Sequence, residues 1–204
     1  MGEQISITMQ DGFELGAYHS APSGQSKGVV VVIQEIFGVN GHIREVVEGY
    51  AERGYHAIAP ALFDRIEPDL QLGYTEADMG KGVVLAFQGL EMVQTMKDLQ
   101  SVVDHAAEQG AVGVVGYCFG GLLTYLSACQ LTGVTAASSY YGGGIAGVHD
   151  AAVDAEGVHG GRVPPEVLLG VPVHFVKVQV VEEQRVVQRG RGRRRFDCHR
   201  GAGG

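Results

Sequence analysis

Short apolar runs alternate with amphipathic segments along most of the chain. Residues 28–33, GVVVVI, form a continuous β-branched run, which is typical of a strand covered on both faces. Residues 42–53 then carry apolar side chains at helical spacing, and Gly54 is placed to end that helix. Residues 55–59 predict the next strand, and Pro60 ends it.

The alternation continues to residue 141. Residues 90–107 predict a long amphipathic helix closed by Gly110, and residues 111–117 predict an apolar strand. Residues 119–131 predict another helix, and residues 134–141 predict a further strand. Because strands and helices alternate at this spacing, we expect right-handed crossovers and an α/β fold with a mainly parallel sheet flanked by helices.

Two segments depart from this alternation. Near the start, ISITM and ELGAYHS flank Asp11-Gly12, which predicts a β-hairpin with a two-residue turn. Near the end, eight of the eleven arginines follow residue 148, among glycines and valines with little periodicity. We therefore divide the chain into a core, residues 1–148, and an atypical segment, residues 149–204. Two interpretations of that segment stay open: a basic, poorly ordered tail, and translation of a disturbed reading frame.

The composition excludes several classes of function. Hydrophobic residues make up 45% of the chain and charged residues 19%, with a net charge of −8, which is typical of a globular protein that does not bind nucleic acid. We find no apolar run long enough to span a membrane and no signal-peptide layout. Three scattered cysteines, without a CxxC or HExxH motif, predict a cytoplasmic protein with no disulfide framework, metal or cofactor.

The candidate nucleophile is Cys118. Residues 116–120, GYCFG, lie between a predicted strand and a predicted helix, which is the arrangement of a nucleophile elbow. Such a turn strains the backbone of the nucleophile, and glycine at positions 116 and 120 removes Cβ atoms that would clash. The sulfur would lie at a helix N-terminus, whose partial positive charge favours the thiolate. The alternative is that Cys118 is a small buried side chain in a tight turn.

A carboxylate is expected beside this turn. Glu35 directly follows the first parallel strand, and the carboxyl ends of parallel strands meet at one edge of the sheet. In folds with a nucleophile elbow, the loop at this position also supplies the second backbone N–H of the oxyanion hole. Taken alone, Glu35 would be a solvated loop acid, and it becomes a candidate only together with the elbow.

Three segments together resemble the dienelactone hydrolase family: VVVIQEIFGVNGHIREVVEGYAERGYHAIAPALFDR, GYCFGG and SYYGGGI. The resemblance covers roughly residues 5–148. It implies an α/β-hydrolase fold and a hydrolase of small lactones or esters that needs no cofactor. It further implies that Cys118 is the nucleophile and that Glu35 helps to deprotonate it when substrate arrives. The backbone N–H groups of Ile36 and Phe119 would form the oxyanion hole.

The sequence departs from the family where the triad Asp and His are expected. Residues 169–178, LGVPVHFVKV, resemble the strand before the Asp, but the expected Gly-x-x-Asp pattern does not follow. Residues 196–201 resemble the segment after the histidine, which would put Arg194 at the histidine position. The remaining candidates for these two roles are His174, His199, Glu182 and Asp197.

The sequence identifies the residues that select the substrate less clearly than it identifies the nucleophile. An anionic lactone would require a cation in the pocket, and the candidates are Arg44, Arg53, Arg65 and Lys81. We name Lys81 as substrate-binding, because residues 64–88 border the pocket in the family. Tyr140 and Tyr141 either edge the pocket or pack the strand.

The predicted function is a cytoplasmic, monomeric hydrolase that opens small lactones or esters through a cysteine nucleophile and an acyl-enzyme. Its partner would be the small-molecule substrate, with neither membrane nor nucleic acid involved. The alternative is a catalytically impaired or non-catalytic protein with the α/β-hydrolase fold, lacking the triad His and Asp.

Overall fold

The sheet contains both antiparallel and parallel strands. The computed structural model describes residues 2–145 and the backbone of residues 177–181. The strand order is β1-β2-β4-β3-β5-β6-β7, with antiparallel pairing from β1 through β2 to β4 and parallel pairing beyond. The predicted α/β fold with a mainly parallel sheet is therefore confirmed. The strands are β1 (Glu3–Thr8), β2 (Glu14–Ser20), β3 (Val29–Ile33), β4 (His56–Pro60), β5 (Val112–Tyr117), β6 (Val134–Tyr140) and β7 (Lys177–Val181).

The helices cover both faces of the sheet. Each strand and helix predicted between residues 28 and 141 is found within two residues of its predicted ends. Residues 62–89, for which the sequence predicted no element, hold a 3-10 turn, a short helix and a single π turn. The helical elements are α1 (Gly41–Glu52), a 3-10 turn (Leu62–Arg65), α2 (Glu76–Val84), the π turn (Leu85–Gly89), α3 (Met92–Ala107) and α4 (Phe119–Gln130).

Alternation along the central strands divides the core into two layers. In β3, Val31 and Ile33 pack in the larger layer with α3 and α4, whereas Val32 packs in the smaller layer with Ile43 and Val47 of α1. Successive side chains of a strand point to opposite faces, so β3 contributes to both layers. Helices cover both faces, and these side chains are therefore almost completely buried. The continuous apolar run of β3 is therefore explained by burial on both sides.

The N-terminal hairpin is present, but the prediction of a two-residue turn is wrong. The Met9 N–H donates to the Phe13 carbonyl, and the Gly12 N–H donates to the Met9 carbonyl, so the loop has three residues. Gly12 has a φ of 82°, and the Asp11 carboxylate accepts from the Phe13 N–H. Asp-Gly thus supplies the positive φ at the end of a three-residue loop instead of forming the whole turn.

β7 overlaps the predicted strand at residues 169–178 only at Lys177 and Val178. Lys177–Val181 pairs in parallel with β6, and Val181 lies opposite Tyr140. The remainder of the predicted range lies outside the described residues. Within the part of the chain that the structure covers, no helix has the length and apolar character to cross a membrane.

Candidate active site

Cys118 occupies a strained turn between β5 and α4. Its backbone has φ 54° and ψ −117°, a conformation that residues other than glycine rarely adopt. A Cβ on Gly116 would collide with the Gly120 carbonyl, and a Cβ on Gly120 would collide with the carbonyls of Ile33 and Gln34. The turn therefore requires the two glycines for the steric reason that the sequence suggested.

Three strand ends meet at this turn. Ile33 of β3 lies opposite Gly116, and Tyr117 of β5 lies opposite Tyr140 of β6. The Cys118 N–H donates to the Tyr140 carbonyl at 3.1 Å, which fastens the turn to the neighbouring strand. The residues that follow β3, β5 and β6 are thereby brought to one edge of the sheet, as expected for parallel strands.

Glu35 and Tyr141 form a hydrogen-bonded pair at this edge. The Tyr141 hydroxyl donates to Glu35 Oε1 at 3.3 Å. Tyr141 directly follows β6 with a positive φ of 38°, whereas Tyr140, within β6, stacks on Tyr117 at 4.9 Å between ring centres. Of the two interpretations for these tyrosines, Tyr140 therefore packs on the strand and Tyr141 lies at the candidate site.

Burial and neighbouring charge raise the pKa values of two tyrosine hydroxyls at this edge. Burial, followed by the charge and the hydrogen bond of Glu35, raises the pKa of the Tyr141 hydroxyl, and Cys118 contributes in the same direction. Burial also raises the pKa of Tyr117 to about 12, with smaller contributions from neighbouring tyrosines and Glu35. Both hydroxyls consequently remain protonated at neutral pH and can act as hydrogen-bond donors.

The thiol of Cys118 is less acidic than the sequence suggested. Burial raises its pKa, and the Glu35 carboxylate raises it further. A hydrogen bond from the Phe119 N–H acts in the opposite direction but is outweighed. The N–H at the helix N-terminus thus has the predicted sign of effect, but burial of the sulfur outweighs it and favours the neutral thiol.

Gln34 is a functional candidate that the sequence analysis missed. Its side chain is fully buried, and Oε1 accepts from the Leu62 N–H at 3.1 Å. Its Nε2 lies 3.5 Å from the Glu35 carbonyl, at the limit of a hydrogen bond. A buried amide directly after a β-branched strand ties the loop carrying Glu35 to the segment after β4. The only signal in the sequence was a polar residue ending an apolar run.

Two of the four candidate cations are engaged in ion pairs. Arg65 binds Asp98 through two short hydrogen bonds, of 2.6 and 2.7 Å, and it also binds Asp11. The Asp98 side chain is only 3% exposed, which the helical periodicity of residues 90–107 did not reveal. Lys81 pairs with Glu67 at 2.7 Å on the surface, so its role in substrate binding stays a prediction.

The other two cations belong to α1 and to its C-terminal cap. Arg44 lies over the Tyr18 ring and donates from Nε to the Val39 carbonyl. Arg53 lies at the end of α1 and donates to the Gly49 carbonyl. Neither contact involves the Cys118 turn.

Several predicted residues lie outside the described residues, namely His174, Glu182, Arg194, Asp197 and His199. In the sequence, Glu182 is the residue after the last residue of β7. In residues 2–145, no three side chains of His, Cys, Asp or Glu converge as they would around a metal ion.

Comparison with known proteins places this geometry in a family context. A family model described as "Dienelactone hydrolase family" matches residues 15–160. A "Putative carboxymethylenebutenolidase" of Synechocystis is 43% identical over 122 residues, which cover 57% of this chain and 49% of that protein. A "Carboxymethylenebutenolidase" of Pseudomonas putida is 36% identical over 147 residues, which cover 70% of this chain and 62% of that protein.

One solved structure is similar to this chain in both fold and sequence. The crystal structure titled "Putative Dienelactone Hydrolase" from Klebsiella pneumoniae is similar with a TM-score of 0.60 and 32% identity, over 70% of this chain and 60% of that one. The chain spans about half to three fifths of the length of the relatives it matches.

Proposed function

Because the chain belongs to the dienelactone hydrolase family, we propose that it hydrolyses a small ester or lactone through a covalent thioester on Cys118. The observation that carries this proposal is the positive φ of Cys118 at a glycine-cleared turn, with the Glu35 and Tyr141 pair at the same edge. A strained backbone at this position has no structural benefit of its own, and such strain concentrates at functional sites.

The proposed reaction starts from a neutral thiol. The thiol proton passes to the Glu35 carboxylate as the sulfur attacks the substrate carbonyl. The backbone N–H groups of Ile36 and Phe119 stabilise the negative charge that develops on the carbonyl oxygen. The C–O bond to the leaving group then breaks, and the alkoxide or enolate takes up the proton held by Glu35. Water adds to the thioester, the C–S bond breaks, and the acid and the Cys118 thiol are released.

Tyr141 is proposed as a positioning residue for Glu35. Its hydroxyl holds Oε1, so the carboxylate is oriented while its second oxygen remains available to the thiol. The Gln34 side chain contacts the Glu35 carbonyl at 3.5 Å and is itself held by the Leu62 N–H. Together they restrain a carboxylate that lies at the start of a loop and would otherwise sample several rotamers.

A second candidate is a non-catalytic protein with the same fold. The raised pKa of the Cys118 thiol favours this candidate, because a protonated thiol is a poor nucleophile. The two candidates differ in what Glu35 does: it deprotonates the thiol during catalysis, or it merely suppresses its ionisation.

The decisive experiment measures turnover and thiol reactivity in the Glu35→Gln variant. Removal of the carboxylate charge lowers the pKa of Cys118, so the pH profile of its alkylation by iodoacetamide shifts toward lower pH. Hydrolysis of a para-nitrophenyl ester should nevertheless fall by about a hundredfold or more, because the proton acceptor is lost. The site of alkylation is assigned by peptide mass spectrometry.

Two controls accompany this measurement. Glu45→Gln removes an exposed carboxylate from α1 and should change neither profile nor turnover. Cys118→Ala should abolish the covalent adduct that intact-mass spectrometry detects during turnover. If Glu35→Gln and Glu45→Gln hydrolyse the ester equally well, Glu35 is not the proton acceptor. If the unmodified chain forms no thioester adduct and turns over no ester, the non-catalytic candidate is correct.

We further propose that the protein acts as a monomer in the cytoplasm, on a small molecule and without a cofactor, a membrane or nucleic acid as partner. The net charge of −8 and the three scattered cysteines support this setting. Size-exclusion chromatography with light scattering tests the oligomeric state.

A further inference from the structure

The loop that carries the proposed Ile36 donor is attached to a second segment of the chain. The Leu72 N–H donates to the Phe37 carbonyl at 2.9 Å, and Gly38 pairs with Gln71 in an isolated antiparallel bridge. These contacts join backbone to backbone, so they restrain the loop directly and do not depend on mobile side chains.

Helix α2 packs its backbone against the same loop. Gly82 is buried, and a Cβ there would collide with the Ile36 carbonyl oxygen and lie 3.1 Å from the carbonyl carbon. At Gly80, two residues earlier in α2, a Cβ would meet no described atom within 4 Å, so the close approach is specific to position 82. Because the carbonyl and the N–H of Ile36 flank one α carbon, a displaced carbonyl would carry the N–H with it.

The π turn that continues α2 contacts the residue of the second proposed donor. The turn spans Leu85–Gly89 and is closed by the Leu90 N–H, which donates to the Leu85 carbonyl at 2.8 Å. From this turn, the Phe87 ring meets the Phe119 ring edge to face, with 5.4 Å between their centres. Phe119 is buried and is the first residue of α4. Single π turns are rare and occur frequently at functional sites.

One continuous helical segment thus contacts both residues that are proposed to form the oxyanion hole. We use the term spacer helix for residues 76–89, which are α2 and the π turn together. The two donors come from separate elements, the loop after β3 and the start of α4, so neither element alone fixes the distance between their N–H groups. Both groups must lie about 2.7 to 3.1 Å from one developing oxyanion, and an error in their spacing weakens its stabilisation.

We propose that the spacer helix sets the distance between the N–H groups of Ile36 and Phe119. Gly82 and Phe87 are its positioning residues. Gly82 lets the helix approach the loop, and Phe87 supports the start of α4 through the Phe119 ring. Both residues act through the two donors and not on the substrate. This inference rests on the proposed hydrolase function and adds these two residues to it.

A matched pair of glycine variants tests this role with para-nitrophenyl acetate and its thionoester, in which sulfur replaces the carbonyl oxygen. Sulfur is a weak hydrogen-bond acceptor, so correctly placed N–H groups favour the ester. The ratio of kcat/KM for the ester to kcat/KM for the thionoester should fall by about tenfold in Gly82→Ala, because one donor is displaced. Gly80→Ala should keep the ratio of the unmodified chain. A smaller folded fraction lowers both rates equally, so a merely destabilised variant would not change the ratio.

Phe87→Ala tests the second contact and decides the question if Gly82→Ala fails to fold. It should lower the same ratio by about threefold to tenfold, because the start of α4 loses its support. Met79→Ala is the matched control, since Met79 and Phe87 are 51% and 55% exposed, and it should leave the ratio unchanged. If neither Gly82→Ala nor Phe87→Ala changes the ratio more than its control does, the inference is wrong.

Amide NMR of the chain without substrate separates this inference from the proposed function. With isotope-labelled isoleucine, Gly82→Ala should change the residual dipolar coupling of the Ile36 N–H, which reports the direction of that bond. The coupling of Ile58, in β4, should stay the same, and Gly80→Ala should change neither. A chain with this response that hydrolyses no ester refutes only the hydrolase function. A chain that hydrolyses the ester but shows no change at Ile36 in Gly82→Ala refutes the inference.

Discussion

Gly120 offers the sharpest test of the elbow geometry. A Cβ at this position would lie closer than 3.0 Å to the carbonyl oxygens of both Ile33 and Gln34, and to the carbonyl carbon of Ile33. These are backbone atoms of the central strand and its exit, so they cannot rotate away as a side chain would. Gly120→Ala must therefore displace the start of α4 from the end of β3. Overpacking of this kind costs about 1 to 3 kcal/mol, and the backbone partners place Gly120→Ala at the upper end of that range.

Gly80→Ala is the matched control. Gly80 lies inside α2, and a Cβ there would have no neighbour within 4 Å. The same substitution should therefore stabilise the protein by about 0.5 to 1 kcal/mol, because alanine loses less backbone entropy in a helix. Both variants replace glycine with alanine, but Gly120→Ala should lower the free energy of unfolding and Gly80→Ala should raise it.

Urea unfolding followed by far-UV circular dichroism measures both variants, since the chain has no tryptophan to report by fluorescence. For a chain of this size, the Gly120→Ala loss corresponds to a melting temperature lower by about 6 to 12 °C. The alkylation rate of Cys118 should change only in Gly120→Ala, because the turn moves with the helix. A Gly120→Ala protein that is as stable as the Gly80→Ala protein would refute the steric argument for the elbow.

Three further substitutions probe other contacts. Arg65→Met should destabilise the fold by about 3 to 5 kcal/mol in urea unfolding, because it leaves the buried Asp98 carboxylate without its cation; Lys81→Met, which breaks an exposed pair, should cost less than about 1 kcal/mol. Asn40→Ala removes the N-cap of α1 and should cost about 1 to 2 kcal/mol by the same assay. Tyr141→Phe should lower kcat for a para-nitrophenyl ester by about tenfold with little change in KM, since a hydrogen bond to a charged group is lost.

The order and type of the elements could be predicted because burial leaves a direct mark on the sequence. The β-branched run of β3 and the helical spacing of α1 can be recognised in the sequence without knowledge of how the side chains pack. The hairpin loop could not be resolved in the same way, because Asp11-Gly12 is compatible with loops of two or three residues. The pairing of Met9 with Phe13 decides between them, and neither residue carries a turn signal.

The sequence points to the residues of the candidate site, but it does not reveal the electrostatics around them. Local sequence identifies Cys118 by its flanking glycines and Glu35 by its place after a strand. The pKa of the thiol depends on how much protein covers the sulfur, which is a property of the assembled fold. The same holds for Arg65, whose partner Asp98 is 33 residues distant, and for the buried amide of Gln34.

The raised pKa of Cys118 and the proximity of Glu35 are compatible with catalysis when proton transfer within the pair is considered. Two negative charges at this edge are unfavourable, so a thiolate forms at least cost if its proton moves to Glu35 itself. That transfer leaves the net charge of the site unchanged. Attack on a carbonyl then moves the charge from sulfur to oxygen, where two backbone N–H groups are expected to stabilise it. In the proposed mechanism, the thiol therefore stays protonated at rest and loses its proton only as the sulfur attacks the carbonyl.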